Sequence, residues 1–132
     1  MTQDRPTASE LVAAVREFLE RDVMAATEGR VQFHTRVAVN VLGMVERELE
    51  LGPDLEPAER ARAAALLRHD GPTDALEREL ATAIRAGTLD ARLDDVRAHV
   101  RATVREKLLI ANPAYLPKNR LPDDPTPDEV AT

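Results

Sequence analysis

The stretch Phe33-His34-Thr35-Arg36-Val37-Ala38-Val39-Asn40-Val41-Leu42 decides the fold. Its apolar residues do not alternate with period two. With Val45 and Leu49 downstream they recur at three- and four-residue spacing, which is a helical pattern. One arc of that helix holds Val37, Ala38, Val41, Leu42, Val45 and Leu49. On the opposite face Arg36, Asn40 and Arg47 form a polar ridge, and Gly43 leaves it locally flat. Polar residues also fall inside the apolar arc, so the helix is not uniformly greasy.

The pattern extends in both directions. Thr7 and Glu10 have the spacing of a capping box, and a first helix runs from there to about Glu28, closed by Gly29 in the left-handed position. Its apolar arc is Leu11, Val12, Val15, Phe18, Leu19 and Ala26. The second helix is expected from about Val31 to Leu51, stopped by Gly52-Pro53. Pro57 opens a short third helix, and Asp70-Gly71-Pro72 is a turn. A fourth covers about Thr73 to Ala86 and ends at Gly87. Asp90 caps a fifth that reaches about Ala111, before Asn112-Pro113. Its arc is Leu93, Val96, Val100, Val104, Leu108 and Ala111. No segment alternates as a strand does. The expectation is an all-α protein: an antiparallel bundle of about five helices over residues 1–116, framed by the first, second and fifth. A Pro-rich, acidic, disordered tail follows over 117–132.

Composition narrows the function classes. The 132 residues suffice for one domain with a core of ordinary size. Two Phe, one Tyr and no Trp mean that the core is built from Ala, Leu and Val. A net charge of −6 argues against non-specific binding to nucleic acid or anionic lipid. The absence of Cys removes disulfides, thiol catalysis and thiolate metal sites. Met1 to Pro6 lacks the apolar run of a secretory signal, and no apolar stretch is long enough to span a bilayer, so a cytoplasmic location is expected.

Four polar residues interrupt the apolar arcs and are expected to be buried: Asp22, His34, Glu48 and Lys107. Asp22 and His34 lie nearly equidistant from Gly29 and therefore at one level of the first hairpin. A carboxylate beside an imidazole is the arrangement of an acid–base pair, and equally an ordinary buried hydrogen bond. The structural reading is preferred, because no nucleophile has an evident place beside it. Glu48 and Lys107 either meet across helices or snorkel to the rim. The ridge of Arg36, Asn40 and Arg47 has three readings: a clamp for a carboxylate or phosphate, a close helix contact about a two-fold axis near Gly43, or a solvated face beside Glu20 and Glu46. Phe33 and Met44 flank it and favour a covered face.

One enzymatic alternative has a sequence basis. Ala63-Ala64-Ala65-Leu66-Leu67-Arg68-His69-Asp70-Gly71 looks like the His-Asp helix of the HD metal-dependent phosphohydrolases, with His34 upstream and Asp94 and Asp95 downstream. The match departs at Arg68, which shifts the register, and at Pro72, which places His69-Asp70 at a helix end. No His-Glu-x-x-His pair, EF-hand loop or glycine-rich phosphate loop is present.

A wider resemblance covers almost the whole chain. It rests on Asp4-Arg5-Pro6, Gly29-Arg30, Phe33-His34-x-Arg36-Val37-Ala38-x-Asn40, Arg47-Glu48-Leu49, Ile84-Arg85-x-Gly87 and Lys107-Leu108-x-Ile110-x-Asn112-Pro113-x-Tyr115. These resemble a family of small bacterial proteins of unknown function. Genes of that family tend to lie beside an aminoglycoside-phosphotransferase-like kinase and an acyl-CoA dehydrogenase. The resemblance implies an accessory role in acyl-CoA or hydroxy-acid catabolism and assigns no catalytic residues, since none are established for the family; no cofactor is expected. The expectation is therefore a non-catalytic binding protein, a homodimer or the partner of such a kinase or dehydrogenase.

Overall fold

The computed structural model describes residues 4–118. Helix α1 (Ala8–Phe18) passes through a π-helical turn (Leu19–Val23) into α2 (Met24–Ala26). Then come α3 (Gly29–Leu67), α4 (Thr73–Ala86), a 3-10 turn (Asp90–Arg92), α5 (Leu93–Ala111) and a one-turn α6 (Tyr115–Lys118). No strand occurs among the described residues. The tail expected over 117–132 lies outside them, except for Pro117 and Lys118, which complete α6.

Local chemistry sets the helix ends. Thr7 accepts the Glu10 backbone N–H at 3.2 Å, and the Glu10 carboxylate accepts the Thr7 N–H at 3.0 Å, which closes the capping box. Gly29 and Gly87 take φ of +63° and +78°, the left-handed values that let the chain turn between helices at little cost. At the end of α3 the same role falls to Arg68, with φ +62°. The guanidinium of Arg92 donates to the Leu66 carbonyl at 3.0 Å and so satisfies one of the acceptors that a helix C-terminus leaves open.

The expected stop at Gly52-Pro53 does not occur. What was read as a second and a third helix is the single helix α3, so the described residues hold four long helical segments rather than about five. Proline lacks a donor and crowds the carbonyl four residues back, but its fixed φ is itself helical. The clash that Pro53 would make with a preceding Cβ is absent, because that residue is Gly52. Beyond Pro57 the run to Leu67 is rich in Ala, Arg, Glu and Leu, strong helix formers that carry the helix onward.

Compactness divides the chain into Met1–Glu56 and Pro57–Thr132, with the boundary inside α3. The N-terminal unit is a helical hairpin. Ser9 donates to Glu50 at 2.9 Å and Arg16 Nε to Glu46 at 2.8 Å, which aligns α1 antiparallel to α3. Near the turn, Gln32 donates to the Met24 carbonyl at 3.1 Å. Val12, Arg16, Leu19 and Val23 form a partly buried stripe on the first arm, and Thr35, Val39, Leu42 and Glu46 form another on α3. Thr35 can be buried because its hydroxyl returns to the Val31 carbonyl at 2.7 Å.

The C-terminal unit holds every buried apolar side chain of the described chain. Leu66, Leu80, Leu89 and Val96 form its core, with Leu67 and Ala83 packed against them, and Leu76 is also fully enclosed. Only part of the arc expected for α5 faces inward. Val96 is buried, whereas Leu93, Val100 and Val104 are exposed. The inner stripe continues instead through His99, Thr103 and Glu106: Nε2 of His99, the Thr103 hydroxyl and the Glu106 carboxylate find partners inside the unit, while Nδ1 of His99 is buried with none among the described residues.

Candidate functional site

The N-terminal unit leaves one apolar side open. Leu11, Val15 and Phe18 of α1 are exposed, as are Phe33, Val37, Val41, Met44 and Val45 of α3. The arcs expected to be core are thus only partly buried, and Val41, expected at their centre, is 49% exposed. The geometry of the hairpin explains this. In α1 each exposed residue sits one position before a packed one: Leu11 before Val12, Val15 before Arg16, Phe18 before Leu19. In α3, Val41 precedes Leu42 and Val45 precedes Glu46 in the same way. One residue is a rotation of about 100°. Because the two helices run antiparallel, the same sense of rotation carries both exposed stripes to one side of the hairpin. Each helix is apolar over an arc wider than a single neighbour can cover.

The four polar residues expected to be buried are all exposed: Asp22, His34, Glu48 and Lys107. The packed stripe of α3 runs one position after His34, through Thr35, which places His34 and Glu48 on the open side with Val41. Asp22 lies in the π turn. Among the described residues no hydrogen bond joins Asp22 to His34. The imidazole instead meets the Phe33 ring edge-on, with centroids 5.4 Å apart. The Glu48 carboxylate lies along its own helix, 3.0 Å from where a Cβ on Gly52 would stand.

The ridge of Arg36, Asn40 and Arg47 keeps its first two members exposed. Its expected flat spot is filled: Nη1 of Arg47 lies 3.4 Å from the position of a Cβ on Gly43. Close approach of another helix at Gly43 would have to displace that guanidinium.

The residues of the phosphohydrolase alternative point elsewhere. Both carboxylate oxygens of Asp70 are held by Arg60, at 3.0 and 2.9 Å, and one of them also accepts the Gly71 N–H at 2.8 Å. The Arg60 guanidinium accordingly lowers the Asp70 pKa. His69 Nε2 meets Glu79 at 2.8 Å, and that carboxylate raises the imidazole pKa. Asp94 pairs with Arg97 and Asp95 with Arg92. Among the described residues no group of three or more His, Asp or Glu side chains is disposed to hold a metal ion.

A polar cluster that sequence reasoning missed lies in the C-terminal unit. His99 is 3% exposed, and its Nε2 meets the Glu77 carboxylate at 2.8 Å. Arg62 makes a two-pronged pair with Glu106, both contacts 2.8 Å, and also reaches Thr103. The Glu106 carboxylate raises the Arg62 pKa and keeps it charged. The signal was available: Val96, His99, Thr103 and Glu106 continue one stripe at spacings of three and four. These groups tie α3, α4 and α5 together, and Nε of Arg62 and Nδ1 of His99 are buried with no hydrogen-bond partner among the described residues.

Residues 25–115 match the family described as a domain of unknown function, DUF6285, and the chain belongs to that family. No curated protein and no solved structure matches the chain. The family region takes in the exposed stripe of α3 and the whole core of the C-terminal unit, and it begins after α1. No helix among the described residues is long and apolar enough to cross a membrane.

Proposed function

We propose that the chain is a non-catalytic accessory protein of the cytoplasm that works by binding another protein through the open apolar side of its N-terminal unit. One observation carries this reading. The hairpin exposes Phe33, Val37, Val41 and Met44 at spacings of four, four and three, with no buried apolar residue beneath them. A helix face patterned in this way is the form in which helices recognise helices. An exposed apolar patch of this extent marks an interaction surface. The expected partners are a second copy of the chain, and a phosphotransferase-like kinase or acyl-CoA dehydrogenase, which would tie the protein to acyl-CoA or hydroxy-acid catabolism.

The test compares the tagged wild type with Val37→Ser/Val41→Ser, each purified from its native host and followed by mass spectrometry and light scattering. The wild type is expected to self-associate or retain a kinase or dehydrogenase, and the variant to lose that association while keeping its helical circular dichroism. A wild type that is monomeric at high concentration and retains no protein overturns the proposal.

A further inference from the structure

The exposed stripe of α3 has a symmetry in its sequence. His34, Val41 and Glu48 are spaced by seven residues and therefore share one line along the helix. Val37 and Met44 fall between them on the same face. About Val41 the stripe mirrors itself: Val37 corresponds to Val45, Phe33 to Leu49, and His34 to Glu48. Apolar residues map onto apolar ones, and the one imidazole maps onto the one carboxylate.

We propose that the occupant of this face is a second copy of the chain, packed antiparallel through α3 about a two-fold axis at Val41. The proposal rests on the open side of the hairpin being a protein interface. The axis sets Val41 against Val41 of the partner subunit and His34 beside Glu48 of the partner subunit, once at each end of the contact. A parallel pairing would set carboxylate against carboxylate at Glu48 and imidazole against imidazole at His34, which electrostatics disfavours. Polar residues at the ends of an apolar heptad stripe also fix its register.

The first helix fits the same arrangement. The Ser9–Glu50 and Arg16–Glu46 contacts place Leu11, Val15 and Phe18 level with the later part of the α3 stripe. Reversing the second copy brings its Phe33 and Val37 opposite them. The exposed fractions of these apolar side chains amount to roughly 700 Å², close to the ~800 Å² that each partner buries in a standard stable interface. Two open hairpins would close into a four-helix bundle, with each supplying the neighbours that the other lacks.

The chain has no cysteine, so single substitutions report directly on register. The experiment is mild oxidation of three variants of the full chain, with sedimentation equilibrium of the unoxidised proteins. Val41→Cys is expected to form a disulfide-linked dimer, because the two-fold brings the two positions together. His34→Cys alone should not link, but an equimolar mixture of His34→Cys and Glu48→Cys should, because both lie on the Val41 line. Linking of His34→Cys to itself overturns the antiparallel register. A dimer by sedimentation with no link at position 41 overturns the axis and leaves the interface reading standing.

A charge swap provides a second readout. His34→Glu should weaken the dimer by about tenfold or more, and His34→Glu/Glu48→Lys should return it to within about threefold of wild type. No rescue overturns the His34–Glu48 pairing. A monomer at every concentration overturns the second copy as occupant. If that monomer still binds a different protein, and loses it in Val37→Ser/Val41→Ser, only this inference falls.

Discussion

The two units of this chain solve the same problem unequally. Residues 57–118 bury Leu66, Leu76, Leu80, Leu89 and Val96, and even enclose a histidine by giving it a carboxylate partner. Residues 4–56 are just as helical and richer in valine and leucine, yet they bury no apolar side chain. Two helices have one mutual contact line, and an apolar arc wider than that line has nowhere to go within a hairpin. A third and a fourth helix would cover it. The C-terminal unit contains its own additional helices, and the N-terminal unit lacks them. The difference teaches that apolar periodicity reports how much surface a helix must hide without reporting whether its own chain will hide it.

The sharpest way to break this comparison is a truncation in each unit. Leu80→Ala removes a side chain that is 2% exposed and should destabilise the fold by about 2–5 kcal/mol. Val41→Ala, at a position 49% exposed, should cost well under ~1 kcal/mol in the dilute protein. Urea unfolding at low concentration, followed by circular dichroism, measures both. Equal losses would mean that Val41 is already enclosed within a single chain. Raising the protein concentration should raise the cost at Val41 alone, since association stabilises only the folded form.

A smaller effect tests whether the polar cluster belongs to the core of the C-terminal unit. Glu106→Ala strands the partly buried guanidinium of Arg62 and should cost about 1–3 kcal/mol. Arg62→Met/Glu106→Leu removes both partners and should lose distinctly less. If the single and double variants unfold at the same urea concentration, the pair contributes no coupling.

The all-helical class was legible because several local signals agreed. Thr7 and Glu10 announce a start, Gly87 a stop, and three arcs keep helical period. Gly52-Pro53 misled because proline forbids one hydrogen bond, not a helix, and glycine before it removes the steric objection. Which side of an arc meets a neighbour was not legible. In α3 the positions just before the packed ones, such as Val41 and Val45, are as apolar as the packed Val39 and Leu42, and the true inner stripe includes the polar Thr35 and Glu46. His34 and Glu48 were correctly seen to interrupt an apolar arc. That the arc is exposed follows from the number of helices available to cover it, which no local window contains. His99 escaped notice because its partner, Glu77, lies on another helix.

A modest gain is expected at the end of α3. Arg68 holds φ +62°, a conformation that costs an L-residue with a side chain roughly 1 kcal/mol relative to glycine. Arg68→Gly should therefore stabilise the C-terminal unit by about that amount, less what glycine loses in the unfolded chain. A fall in the urea midpoint would show that the Arg68 side chain contributes more than its backbone costs.

The smallest effect concerns the surface pair of His69 and Glu79, the part of the chain that most resembled a catalytic motif. The Glu79 carboxylate, 2.8 Å from Nε2, raises the imidazole pKa above its ordinary value of 6.5, with the Asp70 carbonyl adding to the effect. A pKa raised on folding means that the protonated form is favoured in the native state. The stabilisation is complete below about pH 6.5 and fades as pH rises through the folded value. Asp70 behaves oppositely: Arg60 depresses its pKa below 3.8, so its contribution is present above that value and is lost as pH falls through the folded one. Both side chains are on the surface, where salt screens such pairs, so the effect on unfolding will be slight. An NMR titration of the imidazole resolves it. His69 should titrate above 6.5 in the wild type and move down in Glu79→Gln. A His69 that titrates at its ordinary value and ignores that substitution would show that the contact does not persist in solution. It would also free the imidazole from its structural partner, and the phosphohydrolase reading would regain one of the groups that this pairing removes from it.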